Sequence, residues 1–252
     1  MTSTVPTHEF SRDAFLSGRV QIWQPRNGYR AGSDPVILAA ACNATAGQSV
    51  LELGCGVGTA SLCLGARIPG LSLTGIELQP EYAELAQRNA QENGTKMTVL
   101  CGDIDLTATL LDGATFDHVI MNPPYFAPGK PSSDRGRDVA VHSYGGIKRW
   151  IRTGLRRVRP MGYLTVIHRI ERLSEIVALL YSRADGVEIK PLAARRNRPP
   201  KLVIIRARKG SKAGTTLYNP LILHEGDSHD RDRDDYTTEA RAILRDGAEL
   251  SY

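Results

Sequence analysis

From Ser49 to Lys209 the chain repeats one pattern: a short β-branched and apolar run, a turn, then apolar residues at helical spacing. The runs are SVLELG (49–54), LSLTGIEL (71–78), MTVLCGD (97–103), FDHVIMNPP (116–124), GYLTVIHR (162–169), VEIKPL (187–192) and KLVIIRARK (201–209). Each is the length of a buried strand. Helical segments separate most of them. PEYAELAQRNAQENG (80–94) opens with Pro80 in a first turn and stops at Asn93-Gly94, the expected start and stop signals. TASLCLGARI (59–68) and ERLSEIVALLYSR (171–183) are predicted helices. GGIKRWIRTGLRRVRP (145–160) is a fourth, with Ile147, Trp150, Ile151, Leu155 and Val158 on one face, cations on the other, and Pro160 as its end. Strands alternating with helices predict an α/β domain with a doubly wound, mostly parallel sheet.

The pattern divides the chain into an N-terminal extension (1–48), a core (49–224) and an acidic C-terminal tail (225–252) with a short helix at YTTEARAIL (236–244). No apolar run approaches the roughly 20 residues of a membrane span. MTSTVPTHEFSRD lacks the basic and apolar regions of a secretion signal. Cys42, Cys55, Cys63 and Cys101 have no metal-ligand spacing. The expectation is a cytoplasmic protein with reduced thiols and no metal.

Charge is distributed unevenly. Residues 148–212 hold 18 Lys/Arg against 4 Asp/Glu, whereas the segments before and after are net acidic. A basic block inside an acidic chain is a candidate surface for a polyanion such as nucleic acid; solvated helix and loop faces are the plain alternative. The densest knot is RRNRPPK, with Arg195, Arg196, Arg198 and Lys201. The following acidic run, HEGDSHDRDRDDY (224–236), reads as a solvated segment.

The first strand runs into Glu52-Leu53-Gly54-Cys55-Gly56-Val57-Gly58. Glycines let a backbone turn tightly and approach a ligand, and open parallel sheets bind ligands beyond the carboxyl ends of their strands. The spacing is G-x-G-x-G, not the dinucleotide G-x-G-x-x-G. Glu77 ends the second strand, where a carboxylate can take both hydroxyls of a ribose. Asp103, ending the third, is the matching candidate for an adenine amino group; a turn pair explains it as simply.

VLELGCGVGTASLCL, GIELQPEYAELAQRNAQENG and NPPYF together resemble a class I S-adenosylmethionine-dependent methyltransferase. NGYRAGSDPVILAA (27–40) and RPPKLVIIRARKG (198–210) narrow the resemblance to the family that methylates the amino group of an anticodon-loop adenosine of valine tRNA. It implies a Rossmann-like, seven-stranded sheet whose last strand is antiparallel. It also implies S-adenosylmethionine as cofactor, held by Glu52, Gly54, Gly56, Gly58, Glu77, Leu78, Asp103, Ile104 and Asn122. Ser33 and Arg30 would close over the methionine end, with Arg30 paired to its carboxylate; a helix capped by Ser33 is the structural alternative.

Within that resemblance, Asn122-Pro123-Pro124-Tyr125 is the catalytic corner. An adenine amine is a weak nucleophile and needs positioning. The Asn122 side-chain carbonyl and the Pro123 backbone carbonyl can accept its two N–H groups. Two prolines fix the backbone and remove donors, and Tyr125 offers a stacking face. Phe126 would extend that aromatic wall, and Lys130, Arg135 and Arg137, in the lid-like loop 127–143, could meet phosphates together with the 195–201 knot. His118 and His168 read as hydrogen-bonded core residues. RNA, first of all tRNA, is the expected partner. Alternatives are a glutamine N5-methyltransferase of proteins, a ribosomal-RNA base methyltransferase, or a non-catalytic cofactor-binding RNA chaperone.

Overall fold

The computed structural model describes residues 9–125, 146–181, 183–228 and 234–252. The first two strands, β1 (Phe10–Phe15) and β2 (Val20–Pro25), form an antiparallel hairpin. Helix α1 (Ser33–Ala41) follows, and then the alternation proper: β3 (Ser49–Leu53), α2 (Thr59–Arg67), β4 (Ser72–Glu77), α3 (Pro80–Glu92) and β5 (Met97–Cys101). The short helix α4 (Thr107–Leu110) leads to β6 (Phe116–Met121). Beyond it come α5 (Gly146–Arg157), β7 (Val158–Arg169), α6 (Leu173–Leu180), β8 (Ala184–Ala193) and β9 (Leu202–Lys209). Two-residue strands β10 (Thr216–Leu217) and β11 (Leu221–Ile222) and helix α7 (Thr238–Arg241) complete the chain.

Seven strands lie in the order β5-β4-β3-β6-β7-β9-β8, and β10 and β11 add short parallel pairings to the outer edge of β8. Every pairing among the seven is parallel except those of β9, which runs antiparallel between β7 and β8. The sheet is thus the expected one, extended by the two edge strands. Side chains alternate across it with the period of two that a strand imposes. Val119 and Met121 join the layer of α5 and α6, while Ile120 joins that of α1, α2 and α3.

Three features differ from the sequence expectation. Helix α5 stops at Arg157 and β7 begins at once with Val158, so Pro160 lies in a strand. The β6–β7 register shifts there, and an irregular stretch tolerates a residue without an N–H. The N-terminal extension contributes a hairpin docked on α3. The C-terminal segment is part of the core: Ile243, Leu244 and Leu250 are buried with α1, and the Leu250 N–H donates to the Ala40 carbonyl at 2.9 Å.

Candidate active site

Strands β3 and β6 are neighbours, with Leu53 opposite Met121. Gly54 and Asn122 therefore leave the sheet side by side, about 4.8 Å apart at the usual strand spacing. The glycine turn and the Asn-Pro-Pro-Tyr corner, 68 residues apart in sequence by their numbering, share one rim.

Gly54, Gly56 and Gly58 have φ of +67°, +54° and +87°, a region that favours glycine. Space is a second constraint at Gly54, where a Cβ would come 2.5 Å from the Trp150 ring of α5. Two buried carboxylates hold this turn. Glu52, 3% exposed, accepts the Ser61 backbone N–H at 3.0 Å and its hydroxyl at 2.5 Å. Burial pushes its acid up to about 7 against those two bonds. Glu77, 7% exposed, accepts the Gly56 N–H at 2.9 Å and the Gln79 N–H at 3.0 Å; burial raises its pKa as well. The Leu78 N–H is a third backbone partner, and a carboxylate has about four acceptor sites, so Glu77 can still accept a hydroxyl there. Leu78 is exposed beside it, and Ile104 is buried just past Asp103.

Residues 29–34 pack onto both halves of the rim. A Cβ on Gly56 would lie 3.9 Å from the Tyr29 ring, and the Tyr29 hydroxyl makes a long 3.5 Å contact with Asn122 Nδ2. That contact directs the amide donor to Tyr29 and leaves Oδ1 as an acceptor. The Tyr125 hydroxyl donates to Asp34 at 3.2 Å, and its ring meets His168 edge-on at 5.1 Å. Burial, then the Asp34 charge, raises the Tyr125 pKa far above neutrality, so the phenol stays protonated. Pro123 is buried and Pro124 half-buried.

Several of the expected site residues have partners within the chain. Arg30 lies 2.6 Å from Asp13 and donates to Ser11 Oγ and the Pro25 carbonyl, so the hairpin engages its guanidinium. Ser33 does not cap α1: Gly32 is the N-cap, with no side-chain bond. Asp103 pairs through Oδ1 with Arg149 of α5 and accepts the Asp105 N–H on the same oxygen at 2.8 Å. Arg195 is turned back onto Asp235 at 2.6 Å and onto the Glu225 carbonyl. The acidic run is accordingly not wholly solvated, since Asp235 also meets His224 at 2.7 Å. Arg196, Arg198 and Lys201 are exposed on the same rim as the corner. Phe126, Lys130, Arg135 and Arg137 lie outside the described residues. Both histidines are buried as expected: His118 reaches Gln48 at 2.9 Å, and His168 accepts the Arg169 N–H at 2.8 Å. Sequence reasoning missed Trp150 as a wall of the glycine turn and Arg149 as the partner of Asp103 and Asp105. An amphipathic pattern fixes a helix face, not the loop above it. Among the described residues no group of His, Cys, Asp or Glu could hold a metal, and no helix is long and apolar enough to cross a membrane.

Residues 31–169 match the methyltransferase small domain family. A tRNA1(Val) (adenine(37)-N6)-methyltransferase of Porphyromonas gingivalis strain W83 is 30% identical over 229 residues, which is 84% of this chain and 88% of that protein. The crystal structure of a predicted O-methyltransferase from Agrobacterium tumefaciens superposes with a TM-score of 0.70 at 27% identity, over 87% of this chain and 99% of that one. A precorrin-6y C5,15-methyltransferase from Geobacter metallireducens shares the fold at a TM-score of 0.53 and 14% identity, over 75% of this chain and 94% of that one.

Proposed function

This chain belongs to the methyltransferase small domain family and is a class I S-adenosylmethionine-dependent methyltransferase, and from that premise we propose that its acceptor is N6 of an adenosine in tRNA, with the valine tRNA adenosine of its relatives as first choice. When bound, S-adenosylmethionine supplies an electrophilic methyl group. The observation that carries the proposal is the pairing of Leu53 with Met121, which puts the Asn122 corner beside the glycine turn.

The corner suits an NH2 group. Asn122 Oδ1 and the Pro123 carbonyl offer two acceptors, matching the two N–H bonds of an amine; a hydroxyl has one. Both acceptors act on charge that grows on nitrogen as it is methylated, and both are preorganised. Tyr125, fixed by Asp34 and His168, offers one face to an unpaired base, worth roughly 1–3 kcal/mol of stacking. A base in a duplex would have to be flipped out first. No side-chain base is required, because the methylated nitrogen is acidic and passes its proton to water. The same reading assigns Glu77 to the ribose of the cofactor, Leu78 and Ile104 to its base, and the enzyme to the cytoplasm.

Incubation with methyl-labelled cofactor and a valine tRNA transcript should yield N6-methyladenosine on nucleoside mass mapping. Asn122→Ala should lower turnover by two or more orders of magnitude, in line with the loss of one preorganised polar contact, while cofactor binding persists. Full turnover in that variant would remove Asn122 from the reaction, and label on no RNA would remove the substrate.

A further inference from the structure

The amino end of β9 reaches the same rim as the catalytic corner, because β9 is the antiparallel strand. Leu202 sits between Arg169, the last residue of β7, and Leu192 of β8. The Lys201 carbonyl accepts the Ile170 N–H at 3.0 Å, and the Lys201 N–H donates to Leu192 at 3.2 Å. Two cations 32 positions apart in numbering are thereby set next to each other with their backbones fixed. Arg169 is also the residue after His168, whose ring packs against Tyr125. Its charge is felt at the Tyr125 hydroxyl.

These cations differ in engagement from others in the basic block. Arg159 is 2.5 Å from Asp117, Arg206 is 2.7 Å from Glu188, and Lys209 donates to the Leu155 and Val158 carbonyls. At the rim, Arg169 is 47% exposed and has only a loose contact, 3.7 Å, with the exposed Glu171. Arg196, Arg198 and Lys201 are exposed, with no ion pair among the described residues. Arg195 is the exception in its loop. Its bond to Asp235 holds the loop down and leaves the outer cations facing solvent.

We propose that Arg169 and Lys201, joined by the β7–β9 ladder and continued by Arg196 and Arg198, form the track for the phosphates of the RNA strand that delivers its base to Tyr125. The track crosses β7, β9 and β8, about 10 Å at the usual strand spacing. Contacts of this kind position a strand and do not read its sequence. The inference rests on the RNA reading made above.

The test is the salt dependence of binding to a valine tRNA transcript, measured between 50 and 200 mM salt. Each phosphate contact in a single strand contributes about 0.7 to the slope of log affinity against log salt. Arg169→Gln and Lys201→Gln should each lower the slope by about 0.7, and the double variant by about twice that. Arg169→Lys, which keeps the charge, should restore it. Lys212→Gln, at the opposite end of the sheet, should leave the slope at the wild-type value. A double variant with the wild-type slope overturns the track, even if its affinity falls, since a structural defect weakens binding equally at every salt. A wild-type protein that binds no tRNA overturns both the track and the substrate assignment.

Discussion

Glu52 and Glu77 stand beneath one turn with different tasks. Glu77 ends its strand at the rim and holds Gly56, so it faces whatever the turn binds. Glu52 lies deeper and is bonded to Ser61 in the first turn of α2, which makes it a residue that fixes the turn to its helix. Their difference is measurable through the proton. An ordinary glutamate has a pKa near 4.5, and burial pushes that of Glu52 up to about 7. Between those values the folded protein holds a proton that the unfolded chain has lost. The stabilisation is therefore complete below the lower value and is lost as pH rises through the upper one. A shift of this size corresponds to roughly 3 kcal/mol. In urea unfolding, wild type should lose about that much relative to Glu52→Gln on going from pH 4.5 to pH 8. A constant difference across the range would mean that Glu52 is ionised throughout. Both glutamates were legible as members of the turn, but sequence does not give depth, and depth decides which one can meet a ligand.

At the scale of elements, the unforeseen hairpin is held by two asparagines of α3. Asn89, fully buried, accepts the Trp23 N–H at 2.8 Å and donates to the Trp23 and Val57 carbonyls at 3.1 and 3.0 Å. Asn93 does the same for Gln21 one turn later. The two amides serve β2 as a substitute neighbouring strand, and Asn89 also ties it to the glycine turn. Replacing Asn89 by Ala strands three backbone groups, each costing about 1–3 kcal/mol if it stays dry. A loss of roughly 3 kcal/mol in denaturant unfolding is expected, with Asn93→Ala costing less because that side is half-exposed. A loss under about 0.5 kcal/mol for Asn89→Ala would show that the hairpin is not held this way. The hairpin was hard to read because only Gly18 of its turn carries the usual signal: Leu16 and Ser17 also take positive φ, where glycine or asparagine is expected. The parallel strands were legible because apolar runs ending in glycine or proline admit few other readings.

For the whole molecule, charge was legible as a total and illegible as a pattern. The excess of cations over 148–212 is plain from counting, but which of them face solvent depends on partners that only topology supplies, as Asp235 does for Arg195. The C-terminal segment shows the same dependence. Its acidic start suggests an appendage, yet its end closes the core. Arg206 is stacked 3.9 Å from the Tyr252 ring, reaches Glu188, and donates to the Ala41 carbonyl at 3.3 Å. Leu250 is 1% exposed and bonds Ala40. Both contacts end on α1, the helix whose first turn presents Asp34 to Tyr125. Leu250→Ala should therefore cost about 2–5 kcal/mol in chemical unfolding, the range for a leucine removed from a packed interior. A residue on a loose appendage would cost less than about 0.5 kcal/mol, and that result would detach the tail from the core. Because α1 joins the tail to the corner, the stability lost in this variant should come with faster hydrogen exchange at the amides of α1, and slower or equal exchange there would break the link between the two.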